Sequence, residues 1–235
     1  MSALAATLKL DVTVQARSLL YAVGIATAVI IGLLARFLIG PRYAAIGVPT
    51  AYLLGLGGTA YIFGASQVLM EKSQRTIDAL RVSPLTVDQY LASKLVTLVA
   101  FAAIEGVIVQ LIGFWGVSFN LLALGGGIIA LGLMNTLVGL GQVAPHTSVL
   151  SFLVPGAALV GSVMQWPFLG PLGIGPWWIY YVIPTNGPFV LMRGAFAPLA
   201  PWQWAYAVGI SLVTIVALAL WTRRRLRTHL RLQQG

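Results

Sequence analysis

The chain has 235 residues, 59% hydrophobic and 8% charged, with a mean hydropathy of +0.91. Soluble domains carry about 25% charged residues, so too little charge is present to coat a water-facing surface, and a soluble globular enzyme is excluded. Fourteen Lys and Arg against five Asp and Glu give a net charge of +9, but these cations flank apolar runs, which points to membrane topology rather than to nucleic acid.

Residues 1–17 lack a continuous apolar core and a cleavage site, so no removable signal peptide is expected. Leu4, Leu8 and Val12 recur at the spacing of a helix lying on the membrane, with Asp11 interrupting the stripe. Ser18 to Ala35 carries no charge and forms the first expected span, closed by Arg36. Tyr43 to Met70 is uncharged for 28 residues, which predicts a second span that starts after Pro49 or tilts. After the polar stretch 71–94, Glu105 is the sole charged residue before Arg193. Helix breakers must set the boundaries there: Phe119-Asn120 ends span three, Gln142 to His146 ends span four, and span five runs from about Ser148 to Trp166. Residues 167–201 contain seven prolines and are too interrupted for a crossing, so short re-entrant or surface exofacial helices are expected. Trp177, Trp178, Tyr180 and Tyr181 suit headgroup level. Span six extends from about Gln203 to Trp221 and stops at Arg223.

The expected architecture is one all-α integral membrane domain over residues 1–235, with six transmembrane helices and both ends on one side. Lys9, Arg17, Lys72, Arg75, Arg81, Lys94 and five Arg between 223 and 231 fall on that side, against Arg36, Arg42 and Arg193 on the other. Eleven cations against three predict cytoplasmic termini. The C-terminal Arg run reads as a topology anchor that also attracts anionic lipid.

The segment 71–94 is the longest polar connection. Ser83-Pro84 breaks any preceding helix, because proline disfavours the α conformation in the residue before it. Thr86 and Gln89 then have capping-box spacing, and Asp88 places a negative charge in the positive first turn. A bent, charged helical knuckle results, running through Tyr90 and Lys94 into span three, so that force on the knuckle moves the span as a lever.

In order, Glu71, Thr76, Leu80, Pro84, Tyr90 and Lys94 match a pattern across the loop after span two, and by it the chain resembles the membrane subunit of type-2 exporters of the ABC transporter class. Ile183-Pro184 through Pro188 to Gly194 is similar to that family's exofacial helix between spans five and six. Arg75 stands where the family often has glycine. Small size and an apolar interior look closest to bacterial drug-export permeases, including those for fluoroquinolone export. The resemblance implies that 71–94 is a coupling segment docking a separate ATPase subunit, which binds ATP and Mg. Arg75, Asp78, Arg81 and Asp88 supply its charged surface. It also implies a second permease copy or homologue, a bacterial plasma membrane, and outward transport of an apolar or amphiphilic compound.

No lysine follows a glycine-rich phosphate loop: Lys9, Lys72 and Lys94 come after Leu8, Glu71 and Ser93. This chain therefore has no such site for ATP. Glu105 lies about 16 Å along the helix past Lys94, near the bilayer midplane. A carboxylate there faces the bundle interior, finds a partner or stays protonated, serving substrate or proton handling or an interhelical hydrogen bond. Gln110 shares its strip loosely. Gly57 and Gly64 in span two, and Gly125, Gly132 and Gly139 in span four, recur at heptad intervals and read as helix-packing seams. Cysteine is absent and carboxylates are few, so no metal site is expected around His146. Ser148, Ser151 and Ser162 lack a nucleophile elbow, and no catalytic residue is assigned. The alternatives are a proton-coupled secondary transporter using Glu105 and, further off, an intramembrane enzyme.

Overall fold

The computed structural model describes residues 3–77, 85–160 and 163–230. Among these the chain is all helical, and five helical elements are long and apolar enough to cross a membrane: Leu20–Ile39, Pro41–Ser73, Val87–Gly113, Leu121–Val143 and Pro201–Leu230.

Helix α1 (Ala3–Arg17) is amphipathic in the reverse sense from the sequence expectation. Thr7, Asp11 and Gln15, four residues apart on one face, are buried, whereas Leu10 and Val12 point outward. Asp11 does not break a lipid-facing stripe; it belongs to an inward polar one. Leu19, with φ 61°, turns the chain from α1 into α2 (Leu20–Leu34), which ends in a π turn, Ala35–Ile39.

The second crossing does not begin after Pro49. Helix α3 (Ala44–Ala51) contains Pro49 and leads through a π turn, Tyr52–Leu56, into α4 (Gly57–Ser73). Proline withholds one helical N–H, and the widened turn that follows re-pairs the backbone, with Gly57 N–H donating to Tyr52 O. At 33 residues the element Pro41–Ser73 is about 50 Å long, well beyond the roughly 30 Å hydrocarbon thickness.

Helix α5 (Val87–Gly113) starts at the expected capping box, and α6 (Leu121–Val143) starts at Asn120, whose side chain accepts from the Leu122 and Ala123 N–H groups at 3.0 and 3.2 Å. The stretch expected as span five holds an eleven-residue helix, α7 (Val149–Leu159), containing Pro155, and a 3-10 helix, Val163–Leu169, with residues 161–162 outside the described residues. Two short helices come next, α8 (Trp177–Tyr180) and α9 (Asn186–Arg193). Residues 186–192 of α9 are all buried, and α9 packs against α6 and α10 (Pro201–Leu230), so it re-enters the bundle rather than lying on the surface.

Close approach between helices depends on missing side chains. A Cβ on Gly139 would collide with the Tyr61 carbonyl oxygen, and one on Gly64 would lie 3.4 Å from Thr136 O, so α4 and α6 meet backbone to backbone. Gly57 faces the Asn135 side chain at 3.3 Å, and Gly132 faces Ala102 at 3.5 Å. Gly125 differs from the expected seam, since a Cβ there would meet nothing within 4 Å. Gly132 meets α5 and Gly139 meets α4, so the three glycines do not line one seam.

The core has two main layers. One, near the charged end, includes Leu69, Tyr90, Val143 and Leu226; the other includes Val48, Tyr52, Val109, Phe189 and Met192. Ile77 and Leu85, which bracket the described edges of the polar connection, are both buried in the first layer with Leu226 and Leu230.

Candidate functional site

The charged end gathers α1, the end of α4, the start of α5, the end of α6 and the end of α10. Thr86 caps α5: the Gln89 N–H donates to Thr86 Oγ1 and the Thr86 N–H to Gln89 Oε1, both at 3.2 Å. That cap fixes the first turn, and helical spacing then sets Tyr90, Ser93, Lys94 and Thr97 on the face turned toward α1 and α4. All four are buried.

Lys94 is the hub. Its ammonium donates to Asp11 Oδ1 at 2.5 Å and to Glu71 Oε1, and it lies 5.2 Å from the centre of the Tyr90 ring. Tyr90 donates its hydroxyl proton to Glu71 Oε2 at 2.6 Å, and Ser93 donates to Asp11 Oδ2 at 2.5 Å. One layer further in, Gln15 Nε2 donates to Thr97 Oγ1 at 2.9 Å, and the Tyr21 hydroxyl donates to Gln15 Oε1 at 2.7 Å. Two carboxylates around one ammonium leave the cluster one negative charge, which the neutral hydroxyl donors share. The cluster ties α1, α4 and α5 together where the polar connection leaves α4 and enters α5.

Glu71, Tyr90 and Lys94 are thus brought together, but Asp11, Ser93, Gln15 and Thr97 were not read as their partners. The available signal was the Thr7, Asp11, Gln15 stripe at i+4 spacing, which marks an inward polar face once a cation is sought for Asp11.

Around this hub sit the other expected residues. Asp88, on the exposed side of α5, accepts from Arg223 and lies 3.9 Å from Arg227, so the C-terminal basic run clasps the start of α5. Lys72 donates to the carbonyls of Ala144 and His146 at 2.6 and 2.7 Å and to Val143 O at 3.3 Å, capping the negative end of α6. Thr76 and Ile77 re-enter helical geometry. Asp78, Leu80, Arg81 and Pro84 lie outside the described residues, as does Ser162.

Arg75 holds φ 56°, in the left-handed region just past the end of α4, where glycine is the unstrained choice. An L side chain there costs about 1–2 kcal/mol. Arg75→Gly is expected to raise thermal stability in detergent, by about 1 kcal/mol once the greater freedom of the unfolded chain is set against the relief. A lower melting temperature for Arg75→Gly than for the unsubstituted chain would contradict this.

Glu105 lies deep in the bundle, 1% exposed. Thr59 Oγ1 donates to its Oε2 at 3.0 Å. Gln110 is buried too, yet neither atom of its amide has a hydrogen-bond partner, so it does not join Glu105 in one network. The hydroxyls of Ser148 and Ser151 serve the start of α7: the Ser151 N–H donates to Ser148 Oγ at 3.3 Å, and the Ser151 hydroxyl to Ser148 O at 2.9 Å. His146 packs its ring edge-on to Phe152. No group of three His, Asp or Glu that could hold a metal ion occurs among the described residues.

Membrane-length apolar helices, a re-entrant segment and a polar connection anchored on a buried ion cluster define a polytopic all-α membrane protein. The chain matches the fluoroquinolones export permease protein family over residues 2–233 and belongs to that family. Two relatives are fluoroquinolones export permease proteins of Mycobacterium tuberculosis, from strains CDC 1551 / Oshkosh and ATCC 25618 / H37Rv. Each is 34% identical over 160 residues, covering 67% of this chain and 67% of the relative. Membership makes the chain a membrane permease of the drug-export type, a transport subunit rather than an enzyme.

Proposed function

We propose that the chain is the membrane subunit of an ATP-driven ABC exporter that moves an amphiphilic compound outward, the relatives' names pointing to fluoroquinolones. ATP and Mg are bound by a separate ATPase subunit, which docks on the coupling segment 71–94. Two permease copies, or this chain and a homologue, form the path across a bacterial plasma membrane, with both termini cytoplasmic. Glu105 lies on that path.

The observation that carries this reading is the Lys94 cluster. A docked motor does work on the permease only if its displacement of a loop reaches the spans without being absorbed. Charges sequestered from water and held by several short hydrogen bonds form a stiff joint. Here that joint binds the last turn of α4, the second turn of α5 and the middle of α1 to one ammonium. ATP-driven closure of the partner would then tilt these helices together, and compound is carried only if its affinity differs between the two states.

The test is isolation of the tagged chain from its native membranes in mild detergent, with identification of what accompanies it. A companion bearing a phosphate-binding loop is expected. Export that continues with ATP depleted and collapses with the proton gradient would instead favour the secondary transporter that the buried, half-satisfied Glu105 suggests.

A further inference from the structure

Among the acids of the described residues, Asp11 and Glu71 share Lys94, and Asp88 is met by Arg223 and Arg227. Glu105 has no ion-pair partner among those residues. Its Oε2 accepts from Thr59 and its Oε1 has no hydrogen-bond partner. A carboxylate in an apolar interior requires a counter-charge or a proton, and its surroundings indicate which.

Phe101 lies one turn before Glu105, its ring centre 4.8 Å from that of Tyr21 and 6.1 Å from that of Phe63. Ring and carboxylate meet α2 at the same point: a Cβ built on Gly24 would collide with the Phe101 ring and lie 2.5 Å from Glu105 Oε1. Phe101 and Tyr21 also line an apolar cleft of about 420 Å³ between α1, α2 and α5, with Leu8, Val12, Ile25 and Ile104. Val12, Ile25 and Ile104 are exposed on the outer surface of the helices, so the cleft opens sideways to lipid. Protonation alone requires neither a cleft nor aromatic walls. An organic cation uses all three features: apolar surface for its body, ring faces for its diffuse charge, and a carboxylate as counter-ion.

We infer that Glu105, Phe101 and Tyr21 form a recognition site for a hydrophobic organic cation that enters from the bilayer through the cleft between α1, α2 and α5. The inference rests on the reading that Glu105 lies on the path of the exported compound. Phe101 lines the cleft and Glu105 does not, so in this reading the Phe101 ring swings aside for the cation to reach Oε1. Tyr21 sits just past the α1 to α2 turn and hydrogen-bonds Gln15, which links occupancy of the cleft to the Lys94 cluster through Thr97.

Equilibrium binding to the full-length chain in lipid nanodiscs tests this, with tritiated tetraphenylphosphonium as the cation and triphenylphosphine oxide as its neutral counterpart. Glu105→Gln is expected to weaken tetraphenylphosphonium binding by about tenfold or more, the loss of a desolvated charge pair. Glu105→Asp should retain most of it, and the neutral compound should bind Glu105→Gln as it binds the unsubstituted chain, which also reports an intact fold. Equal weakening of both probes by a Glu105→Gln chain that still runs as a single symmetric peak on size exclusion would overturn the cation site while leaving Glu105 on the path. Unchanged binding of both would remove Glu105 from the path altogether, and no saturable binding of either to the unsubstituted chain would overturn both readings.

Discussion

Lys94→Met is expected to destabilise the protein by about 3–5 kcal/mol, the cost of breaking a buried ion pair from one side. Methionine matches the length of the side chain, so packing is largely kept. What is lost is the charge that lets Asp11 and Glu71 stay together out of water. Asp11→Asn should cost far less, about 1 kcal/mol or under, because it leaves a one-to-one Lys94–Glu71 pair and an amide oxygen for Ser93. Thermal unfolding in detergent, followed by fluorescence-detected size exclusion, measures both. Equal losses from the two substitutions would contradict the hub role of Lys94. Neutralising the whole cluster by Asp11→Asn, Glu71→Gln and Lys94→Met together should recover much of the stability lost in Lys94→Met, because no unpaired charge remains buried. Export by this triple variant separates the two uses of the cluster. Recovered stability with export still lost is the outcome expected if the cluster transmits displacement and does more than hold the helices.

Gly139→Ala should cost about 1–3 kcal/mol, as overpacking does in a filled interior, and Gly125→Ala should cost nothing or gain a few tenths through helix propensity. The contrast comes from geometry, since the sequence environments are alike. At Gly139 the added methyl meets the Tyr61 main-chain carbonyl, which cannot rotate away, so α4 and α6 must separate along their line of contact. At Gly125 the methyl enters open space. Heat stability of the two variants checks the claim, and the unfolding temperatures should differ by several degrees in favour of Gly125→Ala. Stability of Gly139→Ala equal to that of Gly125→Ala would mean that the approach of α6 to the Tyr61 carbonyl of α4 carries no energetic weight.

Much of the architecture was legible because membrane helices announce themselves locally. An uncharged run gave the first crossing, helix breakers bounded the third and fourth, the Arg run stopped the last, and Thr86 with Gln89 gave the start of α5, since a capping box is contained within four residues. Prolines in 167–201 forecast short helices, and α8 and α9 are short. The reading was less accurate where a local rule met a tertiary solution. Pro49 looked like a boundary, yet the chain absorbed it in a π turn. The stretch from Ser148 to Trp166, expected as one continuous helix, is divided among the described residues into a short α-helix and the start of a 3-10 helix.

The candidate site divides in the same way. Composition and charge placement by themselves determined that this is a helical membrane protein, with most of its cations expected at one end and a single carboxylate in mid-span. Those properties are sums or local sequences, readable without knowing which helix touches which. Only the tertiary structure decided that Asp11, 83 residues from Lys94, is its partner, and that α1 turns its polar face inward. It alone decided that Glu105 meets α2 beside the Phe101 ring, with no ion-pair partner among the described residues. A charge's partner depends on which helix faces meet, and that is fixed by the packing of the whole bundle, where glycines permit close contact and where buried charge must find its opposite.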